Sequence, residues 1–275
     1  MTDYEIQIPE KIEGLSKLKR YPEVGHCIYC GHDRVELRPE HIIPFGIAGD
    51  SLVLPKASCK RCGDLTGRNE GYILRHAWWP FRSRIGAPTN KPKERPKTFK
   101  LRKVRHENNG QFASTETLDI PSKEYPISLV SLRLHPPGIL AGRPATTNLE
   151  GDIWLRYAKS DWERFGFGDQ EGHYMAPINP EVFCRMFARI AHAYATAEYG
   201  YGNFRPYLRK FIRERNHTPN FWVGGNWDVA PPEPGVLHFI AKDEIQKGEK
   251  RLIVVHLRLF AFFGTPSYQI VVGEL

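Results

Sequence analysis

The chain has 275 residues, of which 41% are hydrophobic, 12% aromatic and 25% charged; this composition excludes a disordered chain and predicts one large folded domain or two of ordinary size. Its 39 Lys and Arg residues outnumber its 31 Asp and Glu residues, and the resulting net charge of +8 favours polyanionic partners. No membrane span of about eighteen uninterrupted apolar residues is present, because His256 and Arg258 break the most apolar stretch, 252–263.

The N-terminal segment, MTDYEIQIPEKIEG, mixes acidic side chains with isolated aliphatic ones. It has no basic segment followed by an apolar one, so we expect no export signal, no membrane partner and a cytoplasmic location. In that reducing compartment, paired cysteines indicate a metal site rather than disulfides.

Four of the five cysteines form two C-x-x-C pairs, Cys27/Cys30 and Cys59/Cys62. Two residues between thiolates allow a tight turn, or the start of a helix, to direct both sulfurs at one tetrahedral ion. We therefore predict one structural zinc, Zn²⁺, held by four thiolates. His26 and His32 flank the first pair and are alternative ligands, but four thiolates already complete the site, so we expect both histidines on the surface.

Residues 31–58 separate the two pairs, a longer interval than the roughly fifteen to twenty residues of ordinary four-cysteine sites. The interval contains the sequence EHIIP at 40–44, a turn region with two glycines, and a short predicted strand, Ser51–Leu54. The second cysteine pair opens a predicted helix, KRCGDLTGRNEGYILRHAWW, over 60–79. The predicted order is strand, loop, strand, helix.

The segment Ala87–Lys97 is rich in proline and charge and predicts a solvated connector. Beyond it, alternation and β-branched or aromatic residues predict strands at 98–105, 127–134, 152–157, 237–241, 251–260 and 268–273. One long helix interrupts them, with Asn179 as N-cap, Pro180 at its first position and Gly200 at its end. Cys184 on this helix has the character of a small buried hydrophobe. We predict an α+β protein with an N-terminal module (1–86), a linker (87–97) and a mainly antiparallel domain (98–275).

The N-terminal motifs resemble those of the HNH endonucleases, the zinc-stapled branch of the ββα-metal nucleases. The matching segments are CIYCG, EHIIP, the glycine-containing turn, LVLPKASCKRC and the following helix, and together they cover about Gly25–Trp79. The likeness is greatest to a bacterial and phage subgroup with EHIIP before ASC-x-x-C and a helix that carries an acid at the position of Glu70. The resemblance implies a divalent-metal-dependent endonuclease that hydrolyses phosphodiester bonds of nucleic acid, with DNA as the expected substrate.

Phosphodiester hydrolysis needs a base that activates water and a hard cation that stabilises charge on phosphoryl oxygens. His41 can supply the base, and Glu40 can help hold the cation, Mg²⁺ or Mn²⁺. Adjacent side chains on a strand point to opposite faces, so the two can converge only if the strand bends or ends there. The alternative for His41 is a buried histidine that is hydrogen-bonded to the backbone, and the alternative for Glu40 is a solvated surface acid.

Relatives usually place a second metal ligand, His or Asn, directly after the last cysteine, where this chain has Gly63. The resemblance favours Glu70 in that role, with Asp64 and Asn69 as alternatives. The same departure motivates a rival hypothesis, in which the chain is a non-catalytic zinc module that binds nucleic acid or protein.

Basic residues surround the predicted helix and fit a track of backbone phosphates, although a solvated helix face explains each of them equally well. The predicted nucleic-acid contacts are Lys56, Lys60, Arg61, Arg68 and Arg75. Trp78 and Trp79 either stack on bases or close the small core of the module.

Overall fold

The fold is given by a computed structural model that describes residues 19–106, 112–145, 149–157, 165–167, 171–173, 178–214 and 218–275. It is a mixed α/β arrangement with mostly antiparallel sheets and one long helix. The strands are β1 (Lys19–Arg20), β2 (Leu37–His41), β3 (Leu52–Cys59), β4 (Thr98–His106), β5 (Phe112–Pro121), β6 (Ser128–Leu134), β7 (Gly151–Tyr157), β8 (Glu171–His173), β9 (Arg205–Pro206), β10 (Val223–Gly225), β11 (His238–Lys247), β12 (Lys250–Leu259) and β13 (Tyr268–Glu274). The helices are α1 (Phe45–Ala48), α2 (Lys60–Tyr72), α3 (Trp79–Arg84), α4 (Gly138–Ala141), α5 (Pro180–Tyr199), α6 (Arg209–Arg213) and α7 (Pro219–Trp222).

The N-terminal part is built on a small sheet with the strand order β1-β3-β2. β2 and β3 are antiparallel, β1 is parallel to β3, and α2 begins directly where β3 ends at Cys59. The register of β2 against β3 shifts between Arg38 and Glu40, where Pro39 has no N–H to donate to the ladder. β2 then ends at His41. β2 therefore has an irregular end at Glu40 and His41.

The predicted helix over 60–79 occurs as α2 followed directly by a π-helical turn, Ile73–Ala77, and a further helix, α3, begins at Trp79. The break falls at Trp78, whose φ of −109° and ψ of 2° leave the helical region. Pro80, in the first turn of α3, is the local cause, because proline cannot continue an existing helix but fits the start of a new one.

The long helix α5 begins as the sequence predicts. The Asn179 Oδ1 accepts a hydrogen bond from the Val182 N–H at 3.3 Å, and Pro180 occupies the first turn. α5 packs against β12 and β13 on one side and against α2 on another, so the residues between Phe183 and Thr196 are buried on almost every face. It lies between the sheet that contains β12 and β13 and the N-terminal part of the chain, β1 to α3, which we call the N-terminal unit.

One hydrophobic core continues across the predicted domain boundary. Trp78 packs edge-to-face against Phe183 and Phe260, with ring centroids 5.6 and 5.4 Å apart, and its Nε1 donates to the Val130 carbonyl at 2.6 Å. Phe81 packs against Phe260 at 5.0 Å. Of the two roles considered for Trp78, the structure supports the core role. The division into domains stays a prediction.

The C-terminal strands form three further sheets, with the orders β10-β13-β12-β11, β5-β4-β8 and β6-β7, and β9 pairs with β13. The six predicted strands after residue 97 all occur, with bounds that differ by a few residues at most, except that β11 extends to Lys247. Through the described part of the chain, no helix combines the length and the apolarity that crossing a membrane requires.

His192 of α5 joins the long helix to the first cysteine loop. Its side chain is buried, Nε2 donates to the Ile28 carbonyl at 2.8 Å, and burial lowers the pKa of the ring to about 4. Because a carbonyl only accepts, Nε2 carries the proton and Nδ1 is the unprotonated nitrogen. Acid would therefore place a charge on Nδ1 in a buried position.

We expect the free energy of unfolding to fall as the pH is lowered from about 6.5 towards 4, because the unfolded histidine takes up a proton in that range and the folded one does not. His192 contributes roughly 1.4 kcal/mol per pH unit there. Urea denaturation at several pH values should give a smaller slope for His192→Phe than for the wild type. The exposed His135 provides the control, His135→Phe, and equal slopes for wild type and His192→Phe would contradict the assignment.

Candidate metal centre and buried carboxylate site

The four paired cysteines form one cluster, as the sequence predicts. The sulfurs of Cys27, Cys30, Cys59 and Cys62 all lie within 4.8 Å of one another, and the Sγ atoms of Cys30 and Cys59 are 3.7 Å apart. Four thiolates about 2.3 Å from a tetrahedral zinc are separated by about 3.8 Å. The cluster could therefore hold a metal ion such as zinc.

Local backbone structure aims both pairs at one point. The Cys27 N–H donates to the His32 carbonyl and the Gly31 N–H donates to the Cys27 carbonyl, both at 2.8 Å, and Gly31 has a φ of +84° that favours glycine. The second pair lies at the start of α2, with Cys59 as N-cap and Cys62 in the first turn. A tight turn and a helix start thus supply two sulfurs each.

Hydrogen bonds between the thiols change their acidity. A hydrogen bond from the Cys62 thiol lowers the pKa of Cys27 to about 4, and the same bond, with burial, raises the pKa of Cys62 well above its ordinary value. The thiols therefore share protons that a bound dication would release. His32 Nδ1 lies 3.2 Å from the Cys30 Sγ, and His26 stacks on Tyr201 with centroids 4.7 Å apart.

A second constellation surrounds the guanidinium of Arg189, which α5 inserts into the N-terminal unit. Its Nη1 lies 3.1 Å from the Glu40 Oε1, and its Nη2 forms a short ion pair with the Glu70 Oε1. Nη1 also donates to the backbone carbonyls of His41 and Ile42. Glu40 and Glu70, predicted as a pair from the sequence, are thus brought together by a cation that the sequence did not indicate.

Burial raises the pKa of two side chains in this constellation, Glu70 and Tyr29. The side chains of Arg189 and Glu40 are 3% and 8% exposed, and that of Glu70 is 17% exposed. Burial and the charge of Glu40 raise the pKa of Glu70 to about 7, although Arg189 acts in the opposite direction. The Tyr29 hydroxyl donates to the Glu40 Oε1 at 2.9 Å, and burial next to that carboxylate raises the pKa of the phenol. Glu70 is therefore a weaker acid than an ordinary glutamate.

His41 lies at the end of β2, with its side chain 31% exposed and its Nε2 2.7 Å from the Asp50 Oδ1. Since a carboxylate only accepts, Nε2 donates to Asp50 and the lone pair is on Nδ1. The ring also meets Phe45 edge-to-face, with centroids 5.7 Å apart. Glu40 points inward from the neighbouring position, so the two side chains occupy opposite faces of the strand end.

The alternative ligand Asp64 is exposed and forms an ion pair with Lys60 at 2.8 Å, while Asn69 is half-buried on α2. Each of the five predicted phosphate contacts is exposed: Lys56, Lys60, Arg61, Arg68 and Arg75. Lys56 forms an ion pair with Glu23 at 2.6 Å. Arg75 differs from the others because it borders a cleft next to Glu70.

The donor set around Arg189 does not match a preformed divalent-cation site. Its guanidinium already compensates both carboxylates and would repel a dication placed between them. In the described ranges, the cysteine cluster is the one group in which three or more His, Cys, Asp or Glu ligand atoms come close together. Glu70 is the one of these two glutamates that borders the cleft, and its side chain is 17% exposed.

Three residues of the constellation escaped the sequence analysis: Arg189, Tyr29 and Asp50. Arg189 lies on the apolar stripe of a core helix, where an isolated basic residue is itself a signal, because a charge at such a position needs a buried partner. Asp50 ends the glycine-containing turn and carries no pattern of its own. Tyr29 belongs to the first cysteine loop and looks like a core aromatic.

For the cysteine cluster, we expect about one zinc per chain, and we expect Cys59→Ser to lose it and to unfold the N-terminal unit, because structural zinc contributes directly to folding. Elemental analysis and thermal melting, with and without a chelator, measure both effects. The matched control is Cys184→Ala, which removes a buried cysteine outside the cluster and should retain the zinc. Folded wild-type protein without zinc would contradict the prediction.

For the buried cation, we expect Arg189→Met to lower the free energy of unfolding by roughly 3–5 kcal/mol, because it leaves two carboxylates buried and unpaired. Adding Glu40→Gln should recover part of that loss. The control is Arg205→Met, since the Arg205 side chain is 76% exposed and such surface pairs contribute about 0–1 kcal/mol. Equal losses for the two arginine variants, measured by urea denaturation, would rule out a buried ion pair.

Comparison with known proteins gives no assignment. No protein-family model matches the chain, no curated protein matches it, and no solved structure matches it.

Proposed function

We propose that the protein is a divalent-metal-dependent endonuclease of the HNH type, which hydrolyses phosphodiester bonds of nucleic acid, with DNA as the expected substrate. The observation that carries the proposal is the convergence of Glu40, at the end of β2, and Glu70, in the last turn of α2, on the Arg189 guanidinium, which also donates to the backbone carbonyl of His41. The antiparallel β2 and β3 followed by α2, together with the four-cysteine cluster, agree with the strand-strand-helix module that the sequence motifs imply.

His41 acts as the general base in this proposal. Asp50 accepts a hydrogen bond from the Nε2–H and holds the ring, so the Nδ1 lone pair takes a proton from water. The resulting hydroxide attacks phosphorus, the bond to the leaving oxygen breaks, and that oxygen takes a proton from solvent. The partial exposure of the ring allows both water and a phosphate group to approach it.

Glu70 is the proposed ligand of Mg²⁺ or Mn²⁺, which when bound stabilises charge on the phosphoryl oxygens. Mg²⁺ commonly uses one or two carboxylates and completes its shell with substrate phosphates and water. Such an ion does not need a side chain at Gly63. Glu40, the other predicted ligand, is assigned a positioning role, because it holds Tyr29 and Arg189.

The rival function, a non-catalytic zinc module that binds nucleic acid or protein, is favoured by two observations. Arg189 compensates both glutamates, and Gly63 stands where related motifs carry a ligand. A module of this kind keeps the zinc and the basic surface but has no requirement for His41. The same cleavage experiment distinguishes the two functions.

We expect His41→Ala to lower the cleavage rate by about 10²–10⁴-fold, the usual contribution of a general base, while fold and zinc content stay unchanged. Asp50→Asn should lower the rate by a smaller factor, because the base remains but is less well oriented. Glu70→Gln should raise the metal requirement, with partial rescue by excess Mn²⁺. Single-turnover cleavage of plasmid and single-stranded DNA, titrated with each metal, measures all three.

The control variant is His256→Ala, which removes a histidine of β12 outside the site. It should cleave at the wild-type rate. Equal rates for His41→Ala and wild type would remove the catalytic assignment from this site. Absence of cleavage of DNA and RNA by zinc-loaded wild type would favour the binding module instead.

A further inference from the structure

A cleft of about 390 Å³ lies next to Glu70, between the N-terminal unit and the segment 87–95. We call it the linker cleft. The composition of this segment predicts a solvated connector, but its first half folds back onto α3. The Ala87 N–H donates to the Arg82 carbonyl at 2.9 Å, and Arg82 Nη2 donates to the Pro88 carbonyl at 2.9 Å. Arg95 Nη2 donates to the Ala87 carbonyl. The segment therefore forms a wall of the cleft.

Four cationic side chains and two carboxylates border the cleft, and both carboxylates already have cationic partners: Glu94 pairs with Lys91 at 2.8 Å and Glu70 pairs with Arg189. Three guanidiniums, those of Arg75, Arg82 and Arg95, border it. The described hydrogen bonds of Arg82 all go to backbone carbonyls, those of Gly46, Leu74 and Pro88. Burial, followed by the charges of Arg95 and Arg75, lowers the pKa of Arg82 to about 10. An anion in the cleft would relieve this repulsion.

Two glycines make room for these side chains. A Cβ on Gly71 would lie 2.5 Å from the Arg75 Nη2, and a Cβ on Gly46 would lie 2.7 Å from the Arg82 Nη2. The Arg75 guanidinium therefore lies directly on the backbone of α2 and extends along the cleft. This placement leaves it available to an anion that reaches Glu70.

The other wall is aromatic. Trp79 borders the cleft and is half-buried, and Phe45 borders it where its ring meets His41. Ligand pockets begin at about 300 Å³, so the cleft has room for one small ligand and not for a stacked duplex. Aromatic side chains bind bases by stacking, which requires a base that is already unpaired or extruded.

We propose that the linker cleft is the subsite for one unstacked nucleotide of single-stranded nucleic acid, with its phosphate on Arg75 and Arg95 and its base on Trp79. The proposal rests on the proposed function, because the nuclease site at Glu70 sets the direction in which the nucleic-acid strand leaves the cleft. It assigns single-stranded nucleic acid as the substrate class. It also gives the predicted linker a role in binding.

Binding is measured without added divalent ions and without chelator, so that the zinc stays in place and no strand is cut. Fluorescence anisotropy compares a short labelled oligothymidylate with the same strand in a duplex. We expect the single strand to bind at least tenfold more tightly. Trp79→Ala should weaken single-strand binding roughly tenfold and leave duplex binding unchanged, whereas Trp79→Phe should restore most of the affinity.

The phosphate contact is tested with Arg75→Ala, which changes an exposed side chain and leaves the core intact. It should weaken single-strand binding and reduce the slope of log affinity against log salt by about one. Gly71→Ala keeps every charge but displaces the Arg75 guanidinium, and should weaken binding as well. The control is Arg251→Ala, which removes an exposed charge on β12 and should change neither quantity beyond a general salt effect.

Equal affinity for single strand and duplex, or wild-type affinity in both Trp79→Ala and Arg75→Ala, would overturn the proposal. The two proposals fail separately. If single strands bind in a way that depends on Trp79 but no nucleic acid is cleaved, the binding subsite is supported and the nuclease function is contradicted. If duplex cleavage depends on His41 and is unaffected by Trp79→Ala, the nuclease function is supported and the binding subsite is contradicted.

Discussion

Arg189 places a positive charge between two glutamates that lie far apart in the sequence, and the geometry of the candidate site depends on this contact. Burying an ion costs several kcal/mol unless its charge and its hydrogen bonds are satisfied. Here Glu40 and Glu70 supply the charge, and the carbonyls of His41 and Ile42 accept further hydrogen bonds. The end of β2, the last turn of α2 and the middle of α5 are therefore held in one arrangement.

The cysteine cluster depends on the same long helix. The Ile28 carbonyl, between two residues of the first cysteine loop, accepts from His192 at 2.8 Å and from Arg209 at 3.0 Å. A metal ion would fix the two cysteine pairs to each other, and these hydrogen bonds fix the first pair to α5 and α6. The metal centre and the carboxylate site thus share one support, although they are chemically separate.

The linker cleft adds a surface whose charge is opposite to that of the buried site. Glu70 borders both, so an anionic strand in the cleft would bring its phosphate near the accessible carboxylate. Such an approach is unfavourable unless a cation accompanies the phosphate or the carboxyl is protonated. The raised pKa of Glu70, about 7, follows from the same burial that Arg189 only partly offsets. In the proposed function, these charges favour a divalent ion that binds together with the phosphate.

The sequence by itself determined the features that depend on short-range geometry. The spacing of Cys27, Cys30, Cys59 and Cys62 predicts their cluster, because two intervening residues fix the direction of each sulfur pair. Asn179 and Pro180 predict the start of α5, because capping involves a single turn. Strand periodicity predicted six of the C-terminal strands but not β5, β8, β9 or β10. Tertiary structure alone decided that Arg189 joins Glu40 to Glu70 and that residues 87–95 close a cleft, because contacts between distant segments leave no periodic or local pattern in the chain.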